Sequence, residues 1–95
     1  MVGILIELHG VPFEALAPLA EQLRKHQAVV TFHENMSGLV QHESGSASFH
    51  LLRDLTLVVK ILHNPGHFPH RLLLGGIRQL VEETVESLQM DQVTQ

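Results

Sequence analysis

The sequence predicts a single α+β domain: an open-faced two-layer sandwich in which helices cover one face of a four-stranded antiparallel sheet, in the order βαββαβα. Three observations predict this fold. Apolar runs typical of strands alternate with two segments of helical periodicity. A chain of 95 residues can bury one hydrophobic core but not two. No cysteine is present, so the core must form without disulfides. We assign the domain to residues 1–90 and a frayed tail to residues 91–95.

The first strand and the first helix are predicted from the amino-terminal third. Residues 2–8 are almost continuously apolar, which indicates a buried, central strand. Gly10 and Pro12 interrupt this run, and residues 13–26 then place apolar side chains on one helical face. Because proline inside a helix costs about 3 kcal/mol, Pro18 either kinks this helix or marks its start.

The middle of the chain is predicted to form a hairpin and a short helix. Residues 27–34 are rich in β-branched and aromatic side chains, residues 35–38 resemble a turn, and residues 39–42 complete the hairpin. Residues 43–47 are small and polar, as in a loop. Ser46 or Ser48 is then expected to cap a short helix that ends at Leu55.

A strong strand and a long helix are predicted for the last third. Residues 57–63 have the composition of a strand, and residues 64–70 form an irregular loop. The final helix ends near residues 88–90. Gly75 and Gly76 either lie inside this helix or mark its start, because each costs about 1 kcal/mol in a helix interior. The predicted buried core comprises Ile4, Ile6, Leu16, Leu23, Val30, Leu52, Val59, Ile61, Ile77 and Leu80.

Charge and composition exclude several kinds of partner. Six basic and ten acidic residues give a net charge of −4, which disfavours nucleic acid because that partner requires a basic surface. We expect no membrane segment and no targeting segment, and therefore a cytoplasmic protein. No catalytic triad, paired-carboxylate site or glycine-rich phosphate loop is evident, so an enzyme is the least supported class and no cofactor is predicted.

His9 is the first candidate for chemistry. It stands where the first strand should stop and the first helix should start, and a helix start offers unpaired N–H groups and positive potential. Neutral imidazole is a competent nucleophile toward a phosphoryl group. We therefore predict that His9 accepts a phosphoryl group and that the backbone of Gly10 and Val11 binds the anion.

Two short motifs resemble the histidine-containing phosphocarrier (HPr-like) family of the phosphotransferase system. The stretch Leu8-His9-Gly10-Val11-Pro12 is similar to the family's Leu-His-Ala-Arg-Pro, and Ser48-Phe49 lies in a stretch similar to its regulatory Ser-Ile segment. The resemblance implies that His9 is the phosphorylated histidine, that Ser48 is the regulatory serine, and that the partners are phosphoryl donor and acceptor proteins. Val11 stands where the family has its phosphate-binding arginine.

Two further interpretations remain open. His63, His67 and His70 lie in one loop at spacings that Zn²⁺ could use, but no fourth ligand is evident and we predict no metal site. The start of the chain also resembles that of an ACT-type domain, which binds amino acids at a strand-to-helix loop. That resemblance implies a non-enzymatic regulatory ligand-binding or protein-interaction domain.

Overall fold

The computed structural model describes the backbone of residues 4–93 and the side chains of residues 4–88. Within residues 4–93, five strands and two helices follow one another, with a short 3₁₀ turn at Phe13–Ala15 that leads directly into the first helix. The elements are β1 (Ile4–Leu8), α1 (Leu16–Lys25), β2 (Val29–His33), β3 (Ser37–His42), β4 (Gly45–Leu51), β5 (Leu57–His63) and α2 (His70–Val93).

The strands form one antiparallel sheet in the spatial order β1-β5-β4-β3-β2. The predicted four-stranded sheet in the order βαββαβα is therefore wrong, because the described chain has five strands in the order β-α-β-β-β-β-α. The predicted place of the first strand is also wrong. β1 lies at an edge of the sheet, and Leu5 on this strand is exposed.

The fifth strand, β4, replaces the predicted loop and short helix. Its side chains alternate: Ala47, Phe49 and Leu51 face one side of the sheet, and Ser48 and His50 face the other. This period of two is typical of a strand. Pairing with β3 and with β5 gives β4 hydrogen-bonding partners along both edges, whereas an isolated helix of eight residues is marginal in water.

The two faces of the sheet differ in character. One face carries apolar side chains that pack against α1 and α2 and form the hydrophobic core. The opposite face, which we call the open face, bears a mixture of serine, threonine, histidine and aliphatic side chains. The buried core residues are Ile6, Leu8, Val11, Ala15, Leu16, Leu19, Leu51, Leu57, Val59 and Val81.

The predicted core is confirmed in part. Ile6, Leu16, Val30 and Val59 are buried. A second group is only half-buried: Ile4, Leu23, Ile61, Ile77 and Leu80. The prediction for Leu52 is wrong, since this residue is 36% exposed. Its predicted burial depends on the short helix, and without that helix Leu52 lies in the turn after β4.

The structure shows where each helix begins, which the sequence leaves open. α1 begins at Leu16, so Pro18 lies in its first turn, where the backbone N–H groups have no partner inside the helix. Gly75 and Gly76 lie inside α2, which begins at His70. The helix continues to Val93, and residues 94 and 95 of the predicted tail lie outside the described residues. In the part of the chain described, neither helix combines the length and apolar character needed to cross a membrane.

Candidate functional site

His9 lies in a bend directly after β1. Gly10 follows with φ of +75°, a left-handed conformation in which a side chain would be strained even though the space beside it is open. Val11 then turns its side chain into the core, where it is 1% exposed, and donates its N–H to the carbonyl of Leu55 at 2.9 Å. The backbone thus brings His9 beside the turn between β4 and β5.

The imidazole of His9 is held by that turn while the residue as a whole stays exposed. Its Nδ1 forms a hydrogen bond of 3.1 Å with Oγ1 of Thr56, which is buried. The N–H of Thr56 is in turn donated to Oδ1 of Asp54 at 3.1 Å. This chain of contacts orients the ring and leaves Nε2 without a partner among the described side chains, so Nε2 is available to an external group.

The helix start expected at His9 lies further along the chain. The 3₁₀ turn begins at Phe13 and α1 at Leu16, and neither has a side-chain cap. Of the two backbone groups predicted to bind an anion, the N–H of Val11 is already donated to Leu55. Few of the donors that the prediction assigned to a phosphoryl group therefore remain near the ring.

A cleft beside His9 is predominantly acidic. Glu7 from β1 and Arg78, Glu82 and Glu86 from α2 line it together with His9, above an apolar floor. Acidic residues therefore outnumber basic ones in the lining by three to one. A phosphoryl group with a charge of about −1.5 to −2 would meet net repulsion there.

Ser48 lies in the middle of β4, not at the start of a helix. It pairs with Leu39 on β3 and with Lys60 on β5, and the strand alternation directs its side chain to the open face. The predicted helix cap is therefore wrong. The resemblance to the phosphocarrier family implies a helix that begins at Ser48, and the structure has a strand at this position.

The three histidines of the predicted loop do not converge. His63 ends β5, His67 lies in the following turn, and His70 begins α2 with its Nε2 3.4 Å from the carbonyl oxygen of Leu5. Among the residues that the structure describes, no group of three or more His, Cys, Asp or Glu side chains is placed to hold a metal ion.

A cavity that the sequence did not reveal lies between α1, α2 and the sheet. Its volume is about 120 Å³, and its lining is almost entirely apolar. Leu19 and Leu23 line it from α1, Val40 and Phe49 from the sheet, and Ile77 from α2. The sequence predicts Leu23 and Ile77 as core residues and does not predict a space between them. The small side chains at Ala20 and Ala47, which also line the space, were the available indication that the core is incompletely filled.

Comparison with protein-family models, with curated proteins and with solved structures finds no match to this chain. A functional hypothesis for this chain therefore depends on the geometry of its candidate sites.

Proposed function

We propose that this protein is a non-enzymatic binding module that takes a small apolar molecule into the cavity between its helices and its sheet. The observation that carries this proposal is the cavity itself, about 120 Å³ in volume and lined by apolar side chains from three walls. A cytoplasmic location, predicted from the sequence, is part of the same proposal.

The energetics favour an occupant. The side chains that line an unoccupied space make fewer van der Waals contacts than those of a filled core, so an empty cavity lowers the free energy of unfolding. A water molecule is poorly stabilised inside the cavity, because it needs two to four hydrogen-bond partners and the lining offers almost none. An apolar ligand regains the missing contacts without desolvating any polar group of the protein.

A pair of substitutions tests the proposal. Toluene and methylcyclohexane are titrated into the protein and followed by chemical-shift changes and by the melting temperature. Ala47→Leu places three additional carbons in the cavity, so it should weaken binding of both probes at least tenfold while leaving the fold intact. Ala17→Leu, on the exposed side of α1, is the matched control and should bind as the wild type does.

The proposal fails if neither probe binds the wild-type protein at its solubility limit. It also fails if Ala47→Leu binds both probes as tightly as Ala17→Leu does, since the ligands would then lie elsewhere.

A second candidate is phosphoryl acceptance at His9, favoured by one observation. The imidazole is exposed and oriented by Thr56, with Nε2 open to a donor. The acidic cleft and the paired N–H of Val11 count against it. Incubation with phosphoenolpyruvate and the general kinase of the phosphotransferase system, followed by intact mass, tests it. One added phosphoryl group, absent in His9→Ala, is the supporting result, and no mass change contradicts it.

A further inference from the structure

Aromatic side chains are scarce in this protein, yet two of them meet at the cavity. The sequence has four phenylalanines and no tyrosine or tryptophan. Phe32 on β2 and Phe49 on β4 both line the cavity, with ring centroids 5.7 Å apart and ring planes at 83°. This edge-to-face arrangement is the one that aromatic pairs prefer.

Gly38 on β3 makes room for this aromatic wall. It lies between the two phenylalanines in the sheet, paired with Phe32 on one side and with Phe49 on the other. A Cβ atom at this position would stand 2.5 Å from Cζ of Phe49, so the ring crosses β3 directly over the glycine backbone. Phe32 is 44% exposed, which places it at the mouth of the cavity.

The size and polarity of the cavity restrict what can enter. A cavity of about 150 Å³ lined by Leu, Ile and Phe holds benzene, so a volume of about 120 Å³ suits one ring rather than two fused rings. Ser48 is the polar residue in the lining, and its side chain belongs to the open face by strand register. A polar substituent on the ligand must therefore point outward past Phe32.

We infer that the ligand is a monocyclic aromatic compound, or the single aryl group of a larger molecule, bound edge-to-face against Phe32 and Phe49. This inference rests on the proposed binding function and makes it more specific. A saturated ring of the same size would fill the space equally well but would gain nothing from the ring quadrupoles of the two phenylalanines.

The experiment compares toluene with methylcyclohexane, which have the same carbon skeleton, in the wild type and in Phe32→Leu and Phe49→Leu. The preference is defined as the ratio of the two dissociation constants, so that the different transfer free energies of the probes from water cancel between variants. An aromatic pair contributes about 0.5–1.5 kcal/mol. Each variant should therefore lower the preference for toluene by roughly 2- to 12-fold.

Phe13→Leu is the matched control, because Phe13 is a partly exposed phenylalanine outside the cavity lining. It should leave the preference unchanged. If Phe49→Leu does not fold, Phe32→Leu carries the test, since that side chain lies at the surface.

An unchanged ratio in the phenylalanine variants, with both probes still bound, overturns the aromatic preference and leaves the binding function standing. If neither probe binds the wild-type protein, the binding function is overturned as well. The two failures are therefore distinguishable.

Discussion

At the scale of single residues, the glycines of this chain serve different purposes. Gly38 is required by space, because a side chain there would meet the Phe49 ring and the carbonyl of Thr31. Gly10 is required by its backbone conformation and not by space. Gly76 in α2 has open space around it and no positive φ, so neither reason applies to it. Substitution at Gly38 and at Gly76 should therefore have opposite effects.

We expect Gly38→Ala to lower the free energy of unfolding by about 2–3 kcal/mol, because the added methyl group forces the Phe49 ring and the strand backbone apart. Gly76→Ala should instead raise it by about 0.5–1 kcal/mol, since alanine loses less conformational entropy in a helix. Urea denaturation measures both. A Gly38→Ala protein as stable as the wild type would contradict the position of the Phe49 ring.

At the scale of elements, β5 holds the sheet together. It is paired with β1 on one side and β4 on the other. Val59 is buried, and Ile61 packs against the core from a half-buried position. Leu62, the next residue, is 46% exposed and stands where the register between β4 and β5 shifts. Two adjacent aliphatic residues of one strand thus differ in burial.

Ile61→Ala should therefore cost about 2 kcal/mol of unfolding free energy, near the lower end for a core truncation because the side chain is half-buried. Leu62→Ala should cost less than about 1 kcal/mol, since it buries less apolar surface. Thermal and denaturant unfolding of the two variants check the burial of the two side chains. Equal losses, or a larger loss at Leu62, would contradict the packing of Ile61 against the core.

At the scale of the whole molecule, the core is shared among one sheet face and two helices and does not fill the space between them. The cavity is the consequence, and Ile77 and Leu80 line it from α2. The stability of the whole molecule therefore depends on apolar packing from elements distant in sequence, without a disulfide.

A chelator should leave the stability of the whole protein unchanged. The described part of the chain places no cluster of metal-binding side chains, and the histidines at positions 63, 67 and 70 lie apart on three elements of structure. The melting temperature of protein as purified, measured with and without EDTA, tests this expectation. A drop of several degrees with EDTA, restored by added Zn²⁺, would contradict it.

The sequence by itself determined the elements whose pattern is local. Helical periodicity predicts α1 and α2, and runs of β-branched residues predict β2 and β5, because amphipathic spacing and side-chain propensity act over a few neighbouring residues. The second strand of the predicted hairpin corresponds to most of β3. The end of the apolar run at Leu8 also predicts that His9 directly follows the first strand, and in the structure it does.

Only the tertiary structure decided β4, the environment of His9 and the cavity. Residues 45–51 are weak in both helix and strand propensity, so pairing with neighbours on both sides fixed their conformation. The Thr56 contact of His9 spans 47 positions in sequence, and the acidic wall of its cleft comes from α2. The cavity depends on how far α1 and α2 stand from the sheet, and that distance is set by the packing of all three together.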